Sequence, residues 1–264
     1  MNTKLKVTLL QSYLFWEDVQ KNLQQFDIRI NSLNQRTDLI VLPEMFNTGF
    51  SMKPSKLAEN MQGPSISWMM KVAAKTGSVL TGSIMICENG NYYNRLLWVR
   101  PDGSYAQYDK KHLFGHADEQ SHFTAGKEKL LVELNGWKIC PMICYDLRFP
   151  VWCRNKEQYD LLIFVANWPE KRSHHWRTLI AARAIENQAY VLGVNRVGND
   201  GNSHYHSGDS MLVHPMGNIL FQKMDEDDMY TAILSLDEIS KTRESLPFLK
   251  DADEFSLNSR VKQE

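Results

Sequence analysis

No stretch of this 264-residue chain approaches the roughly 20 consecutive apolar residues that a membrane-spanning helix needs. Net charge is almost absent too. Thirty lysines and arginines stand against 31 aspartates and glutamates, giving -1, so there is no global basic field for nucleic acid or anionic lipid. Cysteine is scarce. Cys87, Cys140, Cys144 and Cys153 lack the spacing of a disulfide framework, and reduced thiols in a cytoplasmic protein are the simpler expectation. The segment from Met1 to Val7 runs straight into a strand pattern with no long apolar core behind its lysines, so no secretory leader is expected. Repeats, low-complexity tracts and linkers are also missing, which favours one domain over residues 1–264.

What is present is alternation. Short apolar runs at Val7–Gln11, Asp38–Leu42, Ser78–Ile86, Leu161–Val165 and Tyr190–Val194 suit strands buried on both faces. Between them lie helical patterns. In Leu14–Leu33, Phe15, Val19, Leu23, Phe26, Ile30 and Leu33 recur at steps of three and four and share one face. Ser65–Thr76 and His174–Asn187 also read as helices, with Gly77 and Gly193 as punctuation. Three hairpins interrupt the alternation, around Pro101-Asp102-Gly103, Asn135-Gly136 and Pro215-Met216-Gly217. The class is α/β with mixed sheets, and the pattern alone does not choose between one sheet and two. The tail, residues 244–264, has little periodicity and reads as a surface tail, yet its Phe248, Leu249, Phe255 and Leu257 favour burial, for which a partner subunit is one candidate surface.

Several fragments carry chemistry-bearing side chains, each with a plainer reading beside it. Glu44 ends "DLIVLPE", where open α/β folds place their sites, although a strand-end glutamate also faces solvent readily. In "YDKKHLF" (108–114), period-two alternation sets Tyr108, Lys110 and His112 on one face and Lys111 on the other, or the pair is a solvated basic edge. His116, Asp118 and His122 invite a metal reading, which the absence of helical ligand spacing discounts. A free cysteine is usually a small buried hydrophobe. Cys144 stands apart because it sits where a strand turns into "CYDLRFP" (144–150). There its sulfur would be presented at the sheet edge and the following N–H could face a reacting oxygen. Arg183 and Glu186, three apart on one helix, read as a structural ion pair.

Glu44 in "LPEMFNTGF", Lys110 in "YDKKHLF" and Cys144 in "CYDLRFP" occur in the order of the Glu-Lys-Cys triad of the carbon–nitrogen hydrolase (nitrilase) superfamily, which the chain resembles from Val7 to about Leu236. Glu119, seven residues before Gly126, matches a second glutamate of that family, and "ARAIENQAYV" matches its Ala-x-x-x-Glu-Asn pattern. "NWPEKRSHHW", "NRVGNDGN" and "LPFLKDADEF" resemble its bacterial omega-amidase branch.

The resemblance implies a four-layer α-β-β-α sandwich with two mixed sheets, a homodimer whose interface is a candidate place for the tail, and no metal or organic cofactor. It implies hydrolysis of the side-chain amide of 2-oxoglutaramate or 2-oxosuccinamate. Cys144 would be the nucleophile, Glu44 the general base, Lys110 and the Tyr145 N–H the oxyanion donors, and Glu119 an orienting group. The lysine is also expected to lower the thiol pKa. Arg172 and Arg148 are candidates for the substrate carboxylate. For Arg148, an ion pair with Asp146 or a helix-start contact is the preferred reading. Phe46, Phe114 and Trp168 would wall the pocket or belong to the core. The alternatives are a short aliphatic amidase, an N-carbamoyl amino acid hydrolase, or a non-catalytic binding protein on the same fold.

Overall fold

Alternate side chains of the central strands enter two different cores. In the computed structural model, which describes residues 3–257, Leu5, Val7, Leu9, Leu39 and Val41 pack toward a second sheet, whereas Leu10, Ile40 and Leu42 pack under helices. A strand apolar on both faces must be covered on both, and here it is.

The first half of the chain supplies β1 (Lys4–Tyr13), β2 (Leu39–Val41), β3 (Val79–Glu88), β4 (Asn91–Val99) and β5 (Tyr105–Asp109). The second supplies β6 (Val132–Leu134), β7 (Trp137–Ile143), β8 (Leu161–Ala166), β9 (Tyr190–Asn199), β10 (Tyr205–Val213), β11 (Ile219–Met224) and β12 (Asp228–Ser235). One sheet runs β5-β4-β3-β2-β1-β12 and the other β6-β7-β8-β9-β10-β11. In each, three central strands are parallel (β1 to β3, and β7 to β9) and the flanking ones antiparallel. Only Ser12 with Arg196 and Tyr13 with Val197 pair β1 to β9. This answers the question left by the sequence pattern: there are two mixed sheets, stacked and touching at one strand end.

Helices α1 (Val19–Asn31), α2 (Pro54–Leu57), α3 (Pro64–Thr76), α4 (Pro150–Cys153), α5 (Ser173–Asn187) and α6 (Leu236–Ser245) complete the layers. Phe26 and Ile30 of α1, with Ile66, Met69 and Val72 of α3, cover the first sheet. Trp176, Ile180 and Ala184 of α5, with Ile239 of α6, cover the second. The result is the expected α-β-β-α order. Gly193 is a requirement of close approach, since a Cβ there would meet Ile180 Cδ1 at 2.3 Å and Trp176 Cζ2 at 2.6 Å.

Two expectations change. The helix read over Leu14–Leu33 begins only at Val19. Asp18 caps it, accepting the Lys21 N–H at 3.0 Å, while Asn22 Oδ1 accepts the Phe15 N–H at 2.8 Å and holds the preceding residues in a bend. In the tail, Lys156 donates to the Phe255 carbonyl at 2.7 Å and lies over its ring, yet Phe248 and Leu257 are exposed. Residues 258–264 of the tail lie outside the described residues. No helix among the described residues is long and apolar enough to cross a membrane.

Phe26 is fully buried and meets Phe46 edge-on at 5.7 Å. Phe26→Ala should therefore cost about 3–5 kcal/mol of stability in urea unfolding. A loss below about 1 kcal/mol would contradict this packing of α1 on the first sheet.

Candidate active site

Three charged side chains meet behind the carboxyl ends of the parallel strands. Glu44 follows β2, and Lys110 follows β5. Glu119 lies in a short 3-10 turn just beyond. Lys110 Nζ is 2.8 Å from Glu44 Oε1 and 3.0 Å from Glu119 Oε2, and all three side chains are at most 1 % exposed. The remaining lone pairs are satisfied. Asn94 Nδ2 donates to Glu44 Oε1 at 2.8 Å, the Asn167 N–H to Glu44 Oε2 at 2.9 Å, and the Phe114 N–H to Glu119 Oε2 at 2.6 Å. Burial by itself would lower the Lys110 pKa, but Glu119 and Glu44 outweigh it and raise it above the ordinary lysine value. Burial is also the main reason the Glu119 pKa rises, with Lys110 opposing and Glu44 reinforcing. Lys111 points away and lies over Trp152, as the alternation predicts.

Cys144 ends β7 at a sharp elbow. Its φ is +43°, a left-handed conformation unusual for a residue with a Cβ, and a single turn of 3-10 helix follows over Cys144–Arg148. Tyr145 thus lies in the first positions of the turn, where N–H groups have no partner within the helix. Arg183 Nη2 donates to the Leu147 carbonyl at 2.7 Å and Nη1 pairs with Glu186 at 3.0 Å, so the expected ion pair also braces the elbow. The thiol pKa is raised well above the ordinary value, chiefly by burial and then by Glu44. Lys110 pulls it down but does not prevail. Lys110 thus acts in the expected direction, but burial and Glu44 outweigh it. A raised pKa disfavours the thiolate, which gives a base beside the sulfur a role in taking its proton.

The elbow opens into a cavity of about 460 Å³, a size suited to a small ligand. Phe114, Trp168, Arg148 and Arg172 line it, together with Lys110 and Cys144. Arg148 does not pair with Asp146, which is buried among other donors. Its guanidinium instead lies 4.7 Å over the Trp168 ring, with Nη2 3.1 Å from His175 Nδ1. Arg172 lies 5.3 Å over Phe114. Phe46 is not a wall. It is fully buried and packs on Phe26 and Trp68 in the core under α1 and α3, because it and Glu44 turn to different sides after β2. Phe50 and Met52 take the lining position instead, and Lys110 Nζ sits 5.0 Å over the Phe50 ring.

A family model described as Carbon-nitrogen hydrolase matches residues 6–244. The chain belongs to this family. It is 48% identical over 96% of its length to "Omega-amidase YafV" of Yersinia enterocolitica, of which 98% is covered. It is 32% identical to a 2-oxoglutaramate amidase of Bacillus subtilis, covering 94% of this chain and 97% of that one. The crystal structure of a carbon–nitrogen hydrolase superfamily protein from Xanthomonas campestris, with an arsenic adduct in its active site, matches at TM-score 0.95 and 40% identity. That match covers 97% of this chain and 99% of the other. The fold is accordingly the nitrilase-like sandwich.

Within this carbon–nitrogen hydrolase, sequence reasoning missed Asn94 and Asn167. Asn167 follows β8, at the same kind of strand end that singled out Glu44 and Cys144, so its position was a usable signal. Its Nδ2 also donates to the Glu44 carbonyl, tying the two sheets together. Asn94 is a buried amide inside β4, next to the buried Arg95, and nothing in the sequence says which carboxylate it serves.

The opposed influences on the thiol give a signed test. Glu44→Gln removes a negative charge beside Cys144 and leaves Lys110, so the pH profile for iodoacetamide alkylation of Cys144 should move to lower pH. An unchanged or upward-shifted profile contradicts the arrangement.

Proposed function

We propose that the protein is an omega-amidase that hydrolyses the terminal carboxamide of short 2-oxo acids, 2-oxoglutaramate and 2-oxosuccinamate, to the dicarboxylic keto acid and ammonia. It is an amidase of the carbon–nitrogen hydrolase family, and what narrows the substrate is the cavity wall. Arg148 and Arg172 make no ion pair among the described residues and share the cavity with Cys144. Two guanidinium groups without a carboxylate suit a substrate that brings one. The names of the relatives agree with that substrate class.

Cys144 Sγ attacks the amide carbon while Glu44 takes the thiol proton. The carbonyl oxygen becomes an oxyanion, held by Lys110 Nζ and the Tyr145 N–H. Glu44 returns its proton to the nitrogen, the C–N bond breaks and ammonia leaves a thioester. Water then adds to the thioester carbon, giving a proton to Glu44. The C–S bond breaks, the acid departs and Glu44 reprotonates the sulfur. Glu119 keeps Lys110 charged and aimed through both halves. Burial raises the thiol pKa, so a carboxylate beside the sulfur is suited to take its proton as it attacks.

Cys144→Ala should abolish ammonia release from 2-oxoglutaramate while circular dichroism stays unchanged. Surviving turnover would remove Cys144 as nucleophile. Arg148→Gln and Arg172→Gln should each raise KM for 2-oxoglutaramate about tenfold to a hundredfold, as expected for a lost charge-assisted contact, with little effect on an uncharged aliphatic amide. A clear preference of the parent enzyme for N-carbamoyl amino acids would overturn the substrate assignment.

A further inference from the structure

We propose that Asp146 is a positioning residue that locks the Cys144 elbow against the segment carrying Lys110. The inference rests on the roles of Cys144 and Lys110 given above and adds a part that the chemistry itself does not use.

Asp146 is fully buried two residues after the nucleophile, and its carboxylate gathers four donors. Oδ2 accepts the Ile143 N–H at 3.1 Å and the Tyr108 hydroxyl at 2.7 Å. Oδ1 accepts the His112 N–H at 3.0 Å and faces His112 Nδ1 at 2.8 Å. Ile143 immediately precedes Cys144. Tyr108 and His112 flank Lys110 by two residues on either side. One carboxylate therefore clamps the strand end that presents the sulfur and both sides of the residue that presents the ammonium.

The surrounding contacts show that the clamp is built rather than incidental. The Tyr108 oxygen also accepts from Trp152 Nε1 at 3.1 Å and from the Lys111 N–H at 3.3 Å, so its proton goes to Asp146. The His112 ring stacks on Phe149 at 3.6 Å and 7° between planes, and Phe149 meets Tyr145 edge-on at 5.2 Å. Both ends of the elbow are thus referred to the lysine segment. The left-handed backbone at Cys144 costs energy and persists only where its surroundings over-determine it, and Asp146 supplies that determination through the Ile143 N–H.

Asparagine cannot replace this group. With either amide orientation, the NH2 must face the Ile143 or the His112 backbone N–H, and a backbone donor cannot reverse. Some part of the elbow or the lysine segment then has to move. A displacement of about 1 Å at a reacting group is enough to cost on the order of a hundredfold in rate.

The test measures Asp146→Asn in the full-length protein for kcat, thermal melting and the pH profile of Cys144 alkylation by iodoacetamide. The expected result is a fall in kcat of about a hundredfold. The alkylation inflection should move down toward that of an ordinary thiol, because a loosened elbow relieves the burial that raises it. A kcat within about twofold of the parent overturns the proposal, as does an unchanged inflection accompanied only by a lower melting temperature. Should Asp146→Asn not fold, Tyr108→Phe removes one clamp donor and leaves the carboxylate. It should lower kcat about tenfold with a smaller shift of the same sign, and parental values of both would overturn the proposal. If instead Cys144→Ala keeps turnover, it is the assignment of the nucleophile that fails, not the clamp alone.

Discussion

Two carboxylates and one ammonium, all withdrawn from solvent, set the terms for the rest of this structure. Burying an ion costs several kcal/mol even after relaxation, and breaking such a group by removing one member leaves an uncompensated charge. Glu44, Lys110 and Glu119 are tolerated together because each partner's remaining hydrogen-bonding capacity is met by a group delivered from a different element. Asn94 comes from the middle of β4, the Phe114 N–H from the loop after β5, and the Asn167 N–H from the end of β8 in the other sheet. The two sheets pair directly at only two residue positions, so the contact of Glu44 with Asn167 is one of the places where their ends are held in register.

The same cluster decides the state of the nucleophile. A lysine beside a cysteine lowers the thiol pKa, but here burial and the Glu44 carboxylate outweigh that effect and raise the pKa. A raised thiol pKa favours proton removal in step with attack on the amide carbon. That arrangement suits a poor electrophile attacked inside a closed pocket, and it spares the sulfur from a permanent charge among apolar walls. Arg148 and Arg172 line the same cavity. Their faces lie on Trp168 and Phe114, leaving the nitrogens available rather than committed to a protein carboxylate.

Much of this was legible in the chain. Apolar runs bounded by turn residues located the parallel strands because a strand covered on both faces needs no polar side. Turn chemistry located the hairpins. Strand-end placement pointed to Glu44 and Cys144, and alternation separated Lys110 from Lys111. The less legible parts share a cause. Phe46 and Phe50 are both aromatic and four residues apart, and which one faces the core and which the cavity depends on how the chain turns after β2. Arg148 looked like a partner for Asp146 because they are close in sequence, but Asp146 is fully engaged by Tyr108, His112 and Ile143. The start of α1 was misplaced because apolar spacing continues back to Phe15, while Asp18 and Asn22 end the helix by hydrogen bonding that spacing does not register.

Sequence by itself determined the α/β class, the family resemblance, and the residue types needed for cysteine-dependent amide hydrolysis in their order along the chain. Those properties are carried by local pattern and by side-chain chemistry. Tertiary structure alone decided how the two sheets stack and touch, that Asn94 and Asn167 close the charged cluster, that the thiol pKa is raised on balance, and that Asp146 touches both the elbow and the lysine segment. Each of these depends on which groups share a volume closed to solvent. Groups 34 to 38 residues apart, such as Asp146 with His112 and Tyr108, become neighbours only when the sheets are stacked.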